Sequence, residues 1–512
     1  MKHYYTLIGL LLLLFLTAFE TSAQKLKQNR IQELSRQHLK AGIAELKEIL
    51  SIPNNASYPK HVQANVDWCD QAFGKRDFQT QILETDGPPL LLATQFIMQE
   101  LPTVLVYLQI DGQPVDSTRW FQESPYDPVL KEANASGSWE TLNWDNLNND
   151  YNPDWRVFAR SASDAKGPVL MFLKAMDILA EQNVRPAFNL KVIMDFEEEL
   201  GSPHLPGAVT TYAEELEADH MIILDGPRHP SNKPTLTFGA RGIQTVTLKI
   251  FGPKNPQHSG HYGNYAPNPA LRMAQLLASM KDEYGRVTIP GYYKGITLDE
   301  ETIALLKNVP DDEAAIKKMI GIAGQDSVAG FLQAARQYPS LNIRGMQSGW
   351  VEEEVRTIVP DFAIAEIDMR LVKESDPDYL LNLLRDHISA QGYHFVEGEP
   401  TENERQEYDK LINMEHEFSY GAFRTEIDSP TGNWLTAALE RAFGKTPIRI
   451  RTSGGSIPIS PFVITLGVPA VTVPTVNSDN NQHSPNENLR LGNFEEGIQT
   501  VVAILTQPIE RK

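Results

Sequence analysis

A single cysteine, Cys69, in 512 residues excludes an internal disulfide and any multi-cysteine zinc or iron–sulfur site. Basic residues are also short: 46 Lys and Arg against 66 Asp and Glu leave a formal charge of −20. A surface of that sign repels phosphate backbones, so no nucleic-acid partner is expected. Three catalytic signatures are missing as well. There is no Gly-x-x-x-x-Gly-Lys-Ser/Thr loop for nucleotide phosphates and no His-Glu-x-x-His pair. Ser453-Gly454-Gly455-Ser456 is glycine-rich but lacks the Gly-x-Ser-x-Gly spacing of a nucleophile elbow.

Long apolar runs are equally scarce. The run Leu7 to Phe19 follows Lys2 and His3 and precedes the small residues Thr21-Ser22-Ala23. It falls short of the roughly 20 residues that span a bilayer. A basic start, a short apolar middle and a small-residue cleavage site describe a signal peptide over 1–23. An exported protein is expected, periplasmic or secreted, with no membrane attachment after signal removal. Without disulfides in an oxidising compartment, stability has to come from the core.

What is present can supply one. Hydrophobic residues are 41% and charged residues 22% of the chain, near the globular average. The length implies about two or three folded units. Ile31, Leu34, Leu39, Ile43, Leu46 and Leu50 recur at helical spacing, so 25–50 reads as an amphipathic helix. Beyond residue 100, apolar runs at Val104–Leu108, Leu190–Met194, Met221–Leu224 and Ala470–Val473 alternate with helical stretches such as Pro168–Ala180 and Thr211–Ala218. That alternation predicts an α/β domain with a mainly parallel sheet. The texture changes near 238. Thr245–Phe251 and Ala363–Leu371 read as strands, Asn268–Met280 and Pro377–Ala390 as helices, and 298–336 as a polar helical stretch. An α+β unit over 238–424 is therefore expected to interrupt a domain made of 24–237 and 425–512.

Gln109-Ile110-Asp111, Glu197-Glu198-Glu199, Asp225 and His483 each fall beyond the end of an expected strand. Asp164 lies in Ser163-Asp164-Ala165-Lys166-Gly167, at the start of a helix. Ligands of open α/β sheets bind outside the carboxyl ends of the strands, so these groups are placed to converge. Each piece alone has an ordinary explanation. An acidic triplet is usually a solvated face, an aspartate before a helix a cap, and a loop histidine solvated. Three like charges ending a buried strand repel strongly, however, unless a cation neutralises them. Metal ligation is the economical reading.

Taken together, Val104 to Pro114, Ser163 to Gly167, Glu197 to Ser202, His258-Ser259-Gly260, Gly454 to Pro458 and His483-Ser484 resemble the carnosinase, glutamate carboxypeptidase and aminoacylase family of co-catalytic zinc exopeptidases. The resemblance implies an α/β catalytic domain with an inserted α+β lid and dimerisation domain, and the size of the insertion resembles the dipeptidase-like branch. It implies that Asp164 bridges two metal ions, that Glu199 and His483 complete one set, and that Asp225 belongs to the other. Glu198 is then the general base and Asp111 the aspartate that orients a ligand. His258 corresponds to a lid histidine that serves the partner subunit's site. Arg370 corresponds to the arginine that grips the substrate's terminal carboxylate, with Gly455 and Ser456 beside it. One position departs: Gln109 stands where the family carries a metal-binding histidine.

The expected activity is hydrolysis of a dipeptide or short peptide, with metal-activated water and Glu198 as base. Hydrolysis of an N-acyl amino acid, or silent peptide binding on the same scaffold, are the alternatives. The expected cofactor is a divalent metal, Zn2+ first and Mn2+ or Co2+ next, in two sites. The site beside Gln109 is expected to be weak or variable, because an amide oxygen is a poor substitute for imidazole toward zinc. A homodimer is expected.

Overall fold

The computed structural model describes residues 25–148, 151–455 and 457–510, so the expected signal peptide and Ser456 lie outside the described residues. The chain divides into two compact units. The first takes the residues up to Leu236, Ile427–Ile448 and those from Val468 onward. The second takes Thr237–Glu426 and Arg449–Gly467.

The first unit is built on strands of one sheet, in the order Gln79–Leu83, Leu90–Gln95, Asn189–Asp195, Thr103–Gln109, His220–Ile223 and Ala470–Thr472. Thr103–Gln109 runs parallel to both of its neighbours, and Ala470–Thr472 runs parallel to His220–Ile223. The leading pair is antiparallel, as is its junction with Asn189–Asp195. Val104 to Leu108 are buried without interruption, the pattern of a strand covered on both faces. Because the central strands are parallel, their carboxyl ends share one edge of the sheet. Gln109 and Asp195 end two of them, and Asp225 follows a third.

Three helices pack against one another in this unit: Gln28–Leu50, Lys166–Glu181 and Leu491–Leu505. Leu491–Leu505 is buried along nearly its whole length, whereas Gln28–Leu50 buries the one apolar face its spacing predicts. The closeness is physical. A Cβ on Gly42 would lie 2.8 Å from the Phe494 ring. Gly167 tolerates no side chain either, since its Cβ would meet the Ala162 carbonyl oxygen at 2.4 Å.

The parallel core lies where the apolar runs place it, and the differences are local. The expected helix over 211–218 is broken into Leu205–Thr211 and Ala213–Leu216. Tyr212 between them donates its hydroxyl to the Glu84 carbonyl, a tertiary tie that periodicity does not register. The hairpin Gln79–Leu83 with Leu90–Gln95 was not anticipated. Nor was the antiparallel sheet of Asn488–Arg490, Arg156–Phe158, Val129–Ala133 and Trp139–Leu142, whose strands are too short to carry a period. Among the described residues no helix is long and apolar enough to cross a membrane.

The second unit carries a five-stranded sheet in the order Ser340–Gln347, Phe362–Leu371, Gly242–Phe251, Leu411–Tyr420 and His394–Phe395. Gly242–Phe251 and Phe362–Leu371 alternate buried and half-buried residues, as strands covered on one face do. Their inward residues, among them Leu248, Ile250, Ile367 and Met369, share a core with Leu276 and Leu277 of Pro269–Met280 and with Leu384 and Ile388 of Pro377–Ala390. Both helices start as the sequence implies. Asn268 accepts from the Ala270 and Leu271 amides, and Asp376 accepts from Tyr379. The polar stretch 298–336 forms three short helices, Glu300–Lys307, Glu313–Ile320 and Leu332–Ala335.

Arg449–Gly467, assigned from the sequence to the catalytic domain, belongs to the second unit. Backbone pairing explains the difference: Phe238 donates to the Ile450 carbonyl at 2.9 Å, and Ser453 donates to Gly239 at 2.8 Å.

Candidate metal centre

The loop between Phe158 and the helix Lys166–Glu181 carries Asp164 and is held from behind by one carboxylate. Glu487 is fully buried and accepts from the backbone amides of Ser161, Ser163 and Asp164 at 2.9–3.0 Å. Arg160 Nη1 donates to the same carboxylate at 2.8 Å. At the far end of the loop Lys166 Nζ reaches the carbonyls of Ile49 and Ile52, at 2.8 and 2.6 Å. Those oxygens end the helix Gln28–Leu50, where a cation is favoured. Burial pulls this ammonium group down to about 7.

A second carboxylate fixes the neighbouring turn. Asp111, just past the strand Thr103–Gln109, accepts from the amides of Glu198 and Glu199, each at 3.1 Å. Its approach depends on Gly112, whose Cβ would sit 2.3 Å from Ser161 Oγ and 2.9 Å from Asn54 Nδ2. The acidic triplet thereby divides in two. Glu197 is buried and paired with His204 Nδ1 at 2.9 Å. Glu198 and Glu199 are half-buried and belong to the centre. Asp195 beneath them accepts from Tyr107 Oη, Ser202 Oγ and the Glu197 amide.

The third arm is the loop after Ala470–Thr472. Asn481, His483 and Asn486 adopt the left-handed conformation at φ 56°, 60° and 65°. Asparagine tolerates it and histidine seldom does. Backbone bonds from Ser484 to Asn481 and from Asn488 to Asn480 impose it. His483 Nε2 ends 2.9 Å from Asp164 Oδ2 and 3.3 Å from Glu199 Oε2. Among the described residues, Asp164, Glu199 and His483 form a group whose ligand atoms all lie within 4.8 Å of one another. A cation about 2.0–2.2 Å from each atom fits separations of this size. Gln113 and Gln482 brace the set, donating to Glu199 Oε2 at 2.9 Å and to Asp164 Oδ2 at 3.2 Å.

Gln109 lies on the other side of Asp164. Its amide nitrogen donates to Asp164 Oδ1 at 2.9 Å and to Asp225 Oδ1 at 3.2 Å, while its Oε1 is buried without a partner. The electrostatics report the crowding. Burial, then Asp225, Glu199 and Asp164, hold Glu198 well above the usual carboxylate range. Burial and Asp164 push Glu199 up to about 8 and Asp225 to about 7. The bond to Asp164 raises His483 to about 9. The donor set and the crowded charge suit a divalent cation, whereas Gln109 presents its amide nitrogen to Asp164 and Asp225.

The structure thus brings Gln109, Asp111, Asp164, Glu198, Glu199, Asp225 and His483 together in the first unit. His258, Arg370 and Gly455 belong to the second. His258 is exposed, and its Nδ1 accepts from the Gly260 amide at 3.0 Å. Arg370 sits on an inner strand with Nε 3.6 Å from Asp368. Gly455 is exposed in a turn. Cys69 is buried in the helix Pro59–Gly74, which agrees with a filler role. Sequence reasoning missed Glu487, Arg160, Asn54 and Gln113. Glu487 acts on backbone amides far away in the chain, and such a partner leaves no spacing signal.

The model of peptidase family M20/M25/M40 matches residues 110–507. The chain is 26% identical over 423 residues to a Cys-Gly metallodipeptidase of Schizosaccharomyces pombe, covering 80% of this chain and 81% of that protein. It is 26% identical over 431 residues to a Beta-Ala-His dipeptidase of Mus musculus, covering 82% and 80%. Among solved structures, the metallo-carboxypeptidase Sso-CP2 of Sulfolobus solfataricus superposes with a TM-score of 0.74 at 25% identity, covering 91% of this chain and 98% of that one. Human carnosine dipeptidase 1 shares the fold, with a TM-score of 0.70 at 21% identity, covering 94% and 98%.

The raised carboxylates give a signed pH dependence. Glu199 and Asp225 titrate ordinarily at 4.5 and 3.8, so the metal-free folded state holds protons that the unfolded state has released. Stability of the metal-free protein should therefore fall as pH climbs from the ordinary carboxylate range through about 8, with His483 acting in the same direction up to about 9. Melting temperatures of chelator-treated protein should drop from about pH 5 to about pH 8.5, and added zinc should flatten the curve. A metal-free curve that rises over this interval would contradict the crowding.

Proposed function

The chain belongs to peptidase family M20/M25/M40, and on that premise we propose that it is a metal-dependent dipeptidase. The observation that carries this reading is the convergence of Asp164, Glu199 and His483, with Glu198 beside them. The named relatives, a Cys-Gly metallodipeptidase and a Beta-Ala-His dipeptidase, support the substrate class.

Asp164, Glu199 and His483 would hold one cation, and Asp164, Asp225 and Gln109 a second. The bound metal supplies Lewis acidity for the scissile carbonyl and makes water acidic near neutrality. Two carboxylates and an imidazole suit zinc first, with manganese or cobalt compatible. Glu198 takes the proton from the attacking water and delivers it to the leaving amine. Asp111 keeps Glu198 in place through the two amides it accepts. Arg370, with Gly455 and Ser456, holds the substrate's C-terminal carboxylate, and His258 donates to the developing oxyanion of the partner subunit's site. The dimer is supported by the exposed apolar residues Ile343 and Met346 on the outer strand of the second unit's sheet, and by Trp350 and Val351 beyond it. Residues 1–23 direct export, and the first residue of the exported protein should read Gln24 on N-terminal sequencing. Retention of the apolar run in the mature protein would argue for an anchor.

One observation favours a second reading, a silent peptide-binding protein. Gln109 already satisfies Asp164 and Asp225 with an amide rather than with a cation. A panel of dipeptides and N-acyl amino acids, assayed for amine release with zinc, manganese or cobalt, separates the readings. Release from dipeptides is expected. Release from N-acyl amino acids alone indicates a deacylase, and no release with any metal indicates the binding protein.

Glu198→Gln should retain metal and lose roughly 10²–10⁴-fold in turnover. Mixing these subunits with equally inactive His258→Ala subunits should restore part of the activity, because one site of each mixed dimer keeps both intact groups. Subunit exchange without any recovery would show that His258 does not act across the dimer.

Metal binding should be unequal. Equilibrium dialysis against limiting zinc should give about one tightly held ion per subunit, rising toward two in Gln109→His, since imidazole is the stronger donor. Two equally tight ions in the unmodified protein would refute the asymmetry.

A further inference from the structure

The second unit gathers positive charge in one place. Arg241 joins the short strand Gly239–Ala240 to the long strand Gly242–Phe251. Arg370 lies on the adjacent strand, opposite Ile243 on one side and Ser340 on the other. Arg336 follows the helix Leu332–Ala335. Arg336 and the Arg241 backbone adjoin the turn Ser453-Gly454-Gly455, and the charges of Arg370 and Arg336 both act on Arg241. Arg336 Nε lies 3.1 Å from the point a Cβ on Gly454 would occupy. The Arg241 amide donates to the Gly455 carbonyl at 3.4 Å, and Arg241 Nη2 donates to the Tyr338 carbonyl at 2.8 Å.

The share of this charge carried by Arg241 and Arg336 is poorly neutralised from within. Asp368 lies 3.6 Å from Arg370 Nε, and its Oδ1 also accepts from Asn342 Nδ2 at 2.7 Å. Asp311 and Glu313 face Arg336 but accept from Gln333 Nε2 and the Leu332 amide, both at 2.8 Å. Among the described residues neither Arg241 nor Arg336 forms an ion pair, and Arg241 Nε is buried with no acceptor. Burial, then the charge of Arg370, draws Arg241 down to about 10. A sheltered guanidinium group costs stability unless an anion completes it. Its planar fork matches a carboxylate in two parallel bonds. At Gly455 a Cβ would meet nothing within 4 Å, so the turn leaves room beside the cluster.

We propose that Arg241, Arg336 and Arg370, around the Gly454-Gly455 turn, form a site for two carboxylates, so that dipeptides ending in Asp or Glu are the preferred substrates. This rests on the dipeptidase reading, in which Arg370 holds the terminal carboxylate common to all dipeptides. Arg336 and Arg241 are then left for a second, side-chain carboxylate. A neutral C-terminal residue would leave Arg241 and Arg336 with no ion pair among the described residues.

The test compares near-isosteric pairs on the metal-loaded full chain: Gly-Asp against Gly-Asn, and Gly-Glu against Gly-Gln. The acidic member should have kcat/KM higher by roughly tenfold or more, the size of a charge-assisted bond. Arg336→Gln should bring the ratio toward one, and Arg336→Lys should keep much of it. A ratio near one in the unmodified protein, or a ratio unchanged in Arg336→Gln, overturns the proposal. Should Arg336→Gln fail to fold, the unmodified and Arg336→Lys ratios still decide. Absence of cleavage for all four peptides would defeat the dipeptidase reading instead. Calorimetric titration of the same peptides then settles the site by affinity, and equal affinity for acid and amide overturns it.

Discussion

Asp164, Glu199 and Asp225 are held beside Glu198 at the end of a parallel sheet, and four negative charges in so little space oppose one another. The protonated forms of Glu198, Glu199 and Asp225 persist above their ordinary range, which relieves the repulsion. A divalent cation relieves it better and leaves the carboxylates ionised. The features around the centre serve to keep these groups from moving apart.

That rigidity comes from the backbone. Asp111 and Glu487 accept from peptide amides of the two turns that present Glu198, Glu199 and Asp164. A carboxylate bound to amide N–H groups cannot swing without breaking several charge-assisted bonds together. Lys166 ties the same loop to the end of a long helix, and Gly112 and Gly167 permit approaches that a methyl group would block. The orientation of the reacting groups is therefore decided one layer behind them.

The second unit presents the opposite sign. Arg336 and the Arg241 backbone adjoin a turn of two glycines, and among the described residues neither arginine forms an ion pair. One unit is short of cations and the other of anions. Gln109 modifies the first demand, because its amide hydrogens already bridge Asp164 and Asp225.

The sequence by itself determined the class of fold and most members of the centre. Uninterrupted apolar runs such as Val104–Leu108 read as strands covered on both faces, and Gln109, Asp111, Glu198, Glu199, Asp225 and His483 follow such runs closely enough to be placed at one edge. Periodicity also located Gln28–Leu50 and Pro377–Ala390, since a helix that buries one face must repeat its apolar residues. It failed where local pattern is not the cause. The helix expected over 211–218 breaks at a tyrosine tied to a distant carbonyl, and Arg449–Gly467 joins the second unit through backbone pairing with 238–240. Which of Glu197, Glu198 and Glu199 pairs with His204, which hangs from Asp111 and which meets His483 depends on what those distant residues can reach. Glu487 and the meeting of Arg336 with Gly454 are likewise products of chain segments more than a hundred residues apart. Spacing along a chain encodes burial, because burial repeats with the element; it does not encode which distant amide or guanidinium group arrives at a given carboxylate, and only the tertiary structure decides that.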